Sequence, residues 1–328
     1  MVDGIETQAR VIAVVDNLKW QARLRGTVAD DGSRDTQANR GLQIMSIRPS
    51  ELVIDDRNWL EHVEARVDGD LMGRGYVPRD YTRNPVGSYE GVKPFDIDLI
   101  KRVDWPSMIE DRVESKSTFA DLRTIGDNGK HIVSLDQNGE PFCWSYSTAG
   151  AITCCRIRDN QPYVRLSAHG PACKIKNFQK EGGWGALSVE FAIKNGYPDI
   201  SVWPEKSMSR QYDTTATWLN AARHKIVDGW MDLTPPVYDR RLSFDQFFTC
   251  LLLHIPCTAD YNWWGHSVVA VDAVEVDSSL PLSDIRRWGV RIWNSWTDSW
   301  GQLGMGVLAG NKAVPDGATA CKGTTQSI

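Results

Sequence analysis

The 328-residue sequence lacks the features that mark membrane, secreted and nucleic-acid-binding proteins. Its longest apolar stretch, residues 247–255, is far short of the roughly 20 residues that cross a bilayer. Residues 1–6 show no basic and apolar pattern of the kind found in a signal peptide. The net charge is -5 and there is no basic run, so no nucleic-acid partner is predicted. We expect a protein without membrane contact, in the cytoplasm or within a non-secreted assembly such as a viral particle.

The sequence also lacks the signs of a disulfide framework. Its seven cysteines are odd in number and follow no predicted signal peptide, which favours free thiols in a reducing compartment. Cys250, His254 and Cys257 lie close together, but their spacing matches no strong zinc pattern, and we expect them to belong to the core. We expect neither a metal nor a cofactor.

Composition divides the chain into three regions. Residues 1–95 are polar, rich in Gly and Pro and weakly periodic, which is typical of an extension or arm. Residues 96–205 favour helices, whereas residues 206–328 combine one helix with strands and hold many of the 14 tryptophans. A helical lobe followed by a β-rich lobe predicts an α+β domain over residues 96–328.

Periodicity places individual elements within these regions. The predicted helices cover residues 56–67, 144–157, 186–194 and 244–253. The predicted strands cover residues 10–15, 267–276 and 288–293.

One segment combines features that activate a cysteine thiol. Cys143 begins a predicted helix directly after Gly139 and Pro141. The positive end of a helix dipole stabilises a thiolate, and a neighbouring imidazolium does so as well. We therefore expect the pKa of Cys143 to lie well below the free value of about 8.5.

Three further motifs follow Cys143 along the chain. Gly182-Gly183-Trp184 precedes a predicted helix, and His266 lies in Trp-Gly-His-Ser before a valine-rich strand. Asn294 lies in Trp-Asn-Ser-Trp.

These motifs, in this order, resemble those of the papain-like (C1-type) cysteine peptidase family over roughly residues 100–310. His266 and Asn294 lie 123 and 151 residues after Cys143, close to the family's spacing of about 130–150. The resemblance implies a papain-like two-lobed α+β fold with a cleft between the lobes. It also implies hydrolysis of peptide or protein substrates through a thioester on Cys143, with no cofactor.

The resemblance further implies a role for each matching residue. Cys143 is the expected nucleophile, His266 its base and Asn294 the group that orients the imidazole. Gln137, six residues before Cys143, matches the glutamine that stabilises the oxyanion together with the Cys143 N–H group. The residues expected to bind substrate are Gly182, Gly183, Trp184 and Trp264. Trp296 is expected to shield the His266–Asn294 hydrogen bond from water.

Two departures from the family pattern have structural consequences. Glu140 and Lys180 stand where many secreted relatives have a disulfide, and we expect an ion pair between them. Phe142 stands where the family has a small residue, and we expect it to narrow the cleft beside Cys143.

Two other functions stay open at this stage. The chain could be a structural or assembly component built on a papain-like fold, for example of a viral particle, with catalysis secondary or absent. It could also be another Cys–His enzyme, such as an amidase or an acyltransferase.

The N-terminal extension needs something to order it, because its sequence buries too little apolar surface alone. We favour a protein assembly partner. The alternatives are that the extension wraps its own domain or lies across the cleft as an inhibitor.

Overall fold

The computed structural model describes residues 47–48, 50–64, 66–67, 70–71, 73–233 and 240–326, and all of them lie in one compact unit. The predicted boundary at residue 95 falls inside this unit, because residues 92–93 already belong to the main sheet. The predicted strand at 10–15 lies outside the described residues.

The described part of the chain contains seven α-helices. They are α1 (Trp105–Glu114), α2 (Phe119–Ile125), α3 (Cys143–Arg158), α4 (His169–Ile175), α5 (Gly185–Lys194), α6 (Thr215–Ala221) and α7 (Arg240–Leu252). Short 3-10 turns lie at Trp59–His62, Arg210–Tyr212, Ala222–His224, Ile285–Arg287 and Gly310–Ala313. None of these helices is both long and apolar enough to cross a bilayer.

Ten strands occur in the same residues. They are β1 (Val53–Ile54), β2 (Arg66–Val67), β3 (Asp70–Leu71), β4 (Val92–Lys93), β5 (Ile226–Asp232), β6 (Cys257–Tyr261), β7 (His266–Glu275), β8 (Trp288–Trp293), β9 (Met305–Ala309) and β10 (Gly317–Thr324). β2 and β3 pair with each other, and the other eight form one sheet in the order β1-β9-β8-β7-β6-β10-β5-β4. Only the outer pairs β1–β9 and β4–β5 of this sheet are parallel. Helices together with this largely antiparallel sheet confirm the α+β fold class.

Helix α3 is the central helix of the domain. Nearly all of its residues are buried, and many are small, so it approaches the sheet closely. A Cβ atom at Gly150 would lie 2.8 Å from Cγ1 of Val269 on β7, which shows how tightly helix and strand pack. The predicted helix at 144–157 is confirmed, and it begins at Cys143 itself.

The pairing of β7 with β8 brings two distant parts of the sequence together. The strands are antiparallel, with Val269 opposite Trp293, so β7 starts beside the end of β8. His266 is the first residue of β7, and Asn294 follows the last residue of β8. Both residues therefore lie at the same end of these two neighbouring strands, near the start of α3.

Residues 50–93 are held by their own domain. β1 and β4 extend the two edges of the main sheet. Two buried ion pairs reinforce the attachment: Glu51 with Arg291 at 2.6 Å, and Arg79 with Asp232 at 2.8 Å. These contacts support the alternative that the extension packs on its own domain, and the hypothesis of an assembly partner stays a prediction.

The predicted amphipathic helix at 56–67 is replaced by a single 3-10 turn and the short strand β2. The side chain of Asn58 explains why the turn stays local: it accepts from the Asp55 N–H and donates to the Val53 carbonyl. The Trp59 ring then packs edge-on against Trp263, with 6.0 Å between centroids. Polar side chains that bond nearby backbone compete with helix formation in this way.

Limited proteolysis should distinguish buried from exposed arginines in this part of the chain. The Arg79 side chain is 3% exposed and paired with Asp232, whereas the Arg83 side chain is 84% exposed. Trypsin should therefore cut the folded protein after Arg83 well before Arg79, as seen by mass spectrometry of early fragments. Asp232→Ala is the matched variant, because an unpaired buried charge should loosen the segment and expose Arg79. Equal cutting at both sites in the unmodified protein would contradict this packing.

Candidate active site

Cys143 is the first residue of α3 and is fully buried. Backbone N–H groups of Ser267, Trp144 and Tyr76 donate toward its sulfur. Ser267 follows His266 directly, so the thiol lies next to the start of β7. The fold thus brings the thiol to the strand end that carries His266, although 123 residues separate Cys143 and His266 in the sequence.

The pKa of Cys143 is raised to about 12, mainly by burial, although the three N–H groups act in the opposite direction. This is the reverse of the predicted lowering. The prediction assumed an imidazolium near the sulfur, but burial lowers the pKa of His266 to about 3. Near neutral pH the two groups are therefore an uncharged thiol and an uncharged imidazole, because charge is costly where water is absent.

His266 is held in one orientation by Asn294. Its Nε2 lies 2.8 Å from Oδ1 of Asn294, and the same oxygen accepts from the N–H of Ser295 at 2.8 Å. Because this oxygen is an acceptor, Nε2 carries the proton and Nδ1 has the free lone pair. Nδ1 is buried and has no hydrogen-bond partner within the described residues, which suits it to accept a proton. The Trp296 ring stacks on the imidazole with 4.3 Å between centroids.

Gln137 is oriented as a hydrogen-bond donor toward the cleft. Its Oε1 accepts from the Ser295 hydroxyl, which fixes the amide. Its Nε2 donates to the carbonyl of Glu140 at 3.0 Å and to that of Gly73 at 2.7 Å. The donor predicted for the oxyanion is therefore occupied by a carbonyl of the chain's own N-terminal part.

That carbonyl belongs to residues 73–77, which we call the cleft segment. Its backbone pairs with Gly183 on both sides: Gly183 N–H donates to Gly75 O, and Val77 N–H donates to Gly183 O, each at 2.9 Å. Tyr76 N–H also donates to Gly265 O, at 3.2 Å. The cleft segment thus lies directly over Cys143.

Two glycines allow the cleft segment to lie this close. A Cβ atom at Gly73 would be 2.4 Å from the Glu140 carbonyl oxygen. One at Gly75 would be 2.1 Å from the Pro141 carbonyl oxygen. Since both obstacles are backbone atoms, no side-chain movement would relieve them.

The residues predicted to bind substrate differ in their positions. Gly182 and Gly183 contact the cleft segment, since a Cβ at Gly182 would be 2.5 Å from the Gly75 oxygen. Trp184 instead donates to the Tyr89 hydroxyl at 2.7 Å. Trp264 is buried against His266 and Trp296, and only its carbonyl reaches the cleft segment, where it accepts from Arg74 at 3.2 Å.

The two departures from the family pattern have different outcomes. The ion pair between Glu140 and Lys180 is confirmed, with 2.7 Å between Oε1 and Nζ. The expectation that Phe142 narrows the cleft is wrong. Its ring is fully buried and packs edge-on against Trp144 and His169. An aromatic ring gains more by filling this space than by facing water.

Sequence reasoning missed Tyr76, Ser295 and Asp260 as residues of the site. Tyr76 and Ser295 had no signal of their own, because their roles depend on which backbone lies next to them. Asp260 had one: it is an isolated acid in the otherwise apolar or small run of β6, all of which is buried.

The chain has relatives among known proteins, although no family model matches it. It is 25% identical over 192 residues to cathepsin L 1 of Paramecium tetraurelia, and the match covers 55% of this chain and 56% of that protein. The chain thus spans little more than half the length of this curated relative.

Solved structures give the same result for the fold. Xylellain, a cysteine protease from Xylella fastidiosa, has a TM-score of 0.50 and 17% identity; the match covers 79% of this chain and 98% of xylellain. Digestive procathepsin L 3 of Tenebrio molitor has a TM-score of 0.48 and 15% identity, with 72% and 75% covered. The chain therefore has a papain-like α+β fold, and its resemblance to papain-like cysteine peptidases is confirmed.

Proposed function

We propose that this chain is a cysteine peptidase that hydrolyses peptide bonds through a thioester on Cys143. The observation that carries this proposal is the arrangement of His266: Asn294 holds its Nε2, its buried Nδ1 has no hydrogen-bond partner within the described residues, and the N–H of the next residue, Ser267, points toward the Cys143 sulfur. Proximity and a fixed tautomer are what a base needs to remove a thiol proton. The cysteine proteases among its relatives support the same assignment.

The reaction follows from the roles of these groups. Nδ1 of His266 takes the proton from Cys143, and the thiolate attacks the carbonyl carbon of the scissile bond. Gln137 Nε2 and the Cys143 backbone N–H donate to the resulting oxyanion. The imidazolium then protonates the leaving amine, and a thioester remains. His266 next removes a proton from a water molecule, whose oxygen attacks the thioester. The carboxylic acid product leaves, and the imidazolium returns the proton to the Cys143 thiolate.

We further propose that the described conformation is latent. The cleft segment occupies the Gln137 donor, covers the thiol and uses both hydrogen-bonding groups of Gly183. A substrate needs the same groups, so the cleft segment and substrate compete. Its departure would admit water, which would lower the pKa of Cys143 and raise that of His266. Of the three roles considered for the extension, the inhibitory one has the best support.

A peptide substrate is favoured over the other acyl-transfer reactions for one reason. The occupant of the cleft is itself an extended polypeptide whose main chain bonds Gly183 as a strand would. The assembly hypothesis is not favoured, because the relatives of the chain are cysteine proteases and it carries Gln137, Cys143, His266 and Asn294, the residues that we propose perform the reaction.

Alkylation of Cys143 should report whether the cleft segment is seated. In the unmodified protein, iodoacetamide at pH 7 should label Cys143 as slowly as the other six buried cysteines. The double variant Gly73→Ala/Gly75→Ala should label it at least about tenfold faster, because the added methyl groups collide with fixed backbone and unseat the segment. Mass spectrometry of peptides measures the rates.

Gly139→Ala is the matched control for this experiment. A Cβ atom there meets nothing within 4 Å, so labelling should stay slow. Rapid labelling of Cys143 in the unmodified protein would show that the thiol is not covered.

The double glycine variant should also hydrolyse peptides, and this allows each catalytic role to be measured. Adding Gln137→Ala should reduce kcat by about 100- to 1,000-fold, the typical effect of losing an oxyanion donor. His266→Ala should abolish turnover, whereas Asn294→Ala should cost less because it removes only the orienting group. Thermal unfolding of each variant controls for loss of fold.

The same measurements can overturn the proposal. Turnover that survives His266→Ala would exclude the mechanism. A double glycine variant whose Cys143 labels rapidly, yet which hydrolyses no member of a broad peptide library, would exclude the peptidase activity.

A further inference from the structure

Asp260 is a buried carboxyl group with one oxygen unused. It lies on β6 and is 5% exposed. Its Oδ2 accepts from the Gly185 N–H at 3.0 Å, and the side chain of Ser267 also bonds the carboxyl group. Its Oδ1 has no hydrogen-bond partner within the described residues. Leaving a buried polar atom unbonded costs free energy, so such an atom calls for an explanation.

The carboxyl group lies beside the cleft. Among charged groups, Asp260 makes the largest contribution to raising the pKa of Tyr76, and it also contributes to raising that of Cys143. Its hydrogen-bond donor Gly185 begins α5, two residues after the Gly183 that pairs with the cleft segment. Asp260 is therefore joined through Gly185 to the stretch that pairs with Tyr76, the central bulky residue of that segment.

Tyr76 packs with the buried core residues of the domain. It is 8% exposed, although it belongs to a segment that we propose must leave for substrate to bind. When Tyr76 leaves, the space that its side chain occupied becomes available to a substrate side chain. That space has the length of a phenol, and Asp260 is the carboxyl group that acts most strongly on its present occupant.

Carboxyl groups outnumber basic groups among the charged groups that act on Tyr76. Asp260 and Asp316 both act on Tyr76, and the cation nearby is Arg79. Arg79 is already paired with Asp232 at 2.8 Å. Two carboxyl groups and one already paired guanidinium group thus act on the Tyr76 side chain, and this field favours a positively charged occupant.

We propose that Asp260 determines specificity and that the pocket vacated by Tyr76 accepts an arginine or lysine side chain of the substrate. A basic side chain would bring donors to Oδ1 and compensate the acidic excess. A charge-assisted hydrogen bond in a buried site is about twice as strong as a neutral one. This inference rests on the proposed peptidase function, but it concerns a pocket that can be tested without turnover.

The selectivity should depend on pH. Burial raises the pKa of Asp260 to about 6. A carboxyl group with a raised pKa is neutral below that value and charged above it, so the preference for a cation should grow as the pH rises from 5 to 7.5. The titratable and charged groups that interact electrostatically with Asp260 are Tyr76, Arg79, Cys143, Tyr261 and Asp316.

The first test uses the chain's own cleft segment as the ligand. Tyr76→Arg should keep the segment seated, because the guanidinium can bond Oδ1 of Asp260, whereas Tyr76→Leu removes the phenol without supplying a donor. At pH 7.5 Cys143 should label at least about tenfold more slowly in Tyr76→Arg than in Tyr76→Leu. The difference should shrink at pH 5 and disappear when Asp260→Asn is added to both. Equal rates for Arg and Leu, or a difference that survives Asp260→Asn, would overturn the proposal.

The second test uses substrates. The Gly73→Ala/Gly75→Ala protein should cleave a positional peptide library with a preference for Arg and Lys over Leu at one position, and Asp260→Asn should remove that preference by about tenfold or more. Turnover without a basic preference would refute the role of Asp260 and leave the peptidase proposal intact. If no peptide is cleaved, the peptidase proposal fails, and the labelling experiment alone decides whether the pocket binds a cation.

Discussion

The carbonyl oxygen of Gly73 accepts hydrogen bonds from Gln137 Nε2 and Trp296 Nε1, and the properties of the site depend on this contact. It anchors one end of the cleft segment, whose other end pairs with Gly183. The chain thereby satisfies the donors of its own cleft and removes water from Cys143 and His266. Because the cleft segment makes these hydrogen bonds with its main-chain atoms, which every peptide has, another extended peptide could take the same positions.

The exclusion of water also explains the protonation of Cys143 and His266, the proposed catalytic pair. A thiolate and an imidazolium attract each other, but each loses its hydration when buried, and the loss outweighs the attraction unless other groups compensate. Here three backbone N–H groups point toward the sulfur and still do not compensate. The neutral pair is thus a property of the closed cleft and does not contradict the chemistry that the residues can perform once water returns.

Buried charges set where the N-terminal residues attach. Glu51 precedes the cleft segment in the sequence and Arg79 follows it. Glu51 pairs with Arg291 and Arg79 with Asp232, and all four side chains are nearly inaccessible to solvent. A buried ion pair contributes little net stability, but breaking one costs about 3–5 kcal/mol, so it specifies one attachment over others. Asp260 interacts electrostatically with Arg79 as well, but its Oδ1 has no hydrogen-bond partner within the described residues.

The sequence by itself determined the α+β class, the helix that starts at Cys143, the strand at Trp288–Trp293 and the order of the catalytic motifs. These depend on local periodicity, on turn residues and on chemistry that few residue types can perform. Only the tertiary structure decided that Gly73 and Gly75 lie on Gln137 and Pro141, that Phe142 points inward and that Asp260 lies near Tyr76. The contacts of Gly73 and Gly75 join residues more than sixty positions apart through backbone atoms, which are the same in every residue and leave no pattern in the sequence. The shifted pKa values of Cys143 and His266 were likewise decided by the tertiary structure, because burial is their main cause and is a property of the folded chain.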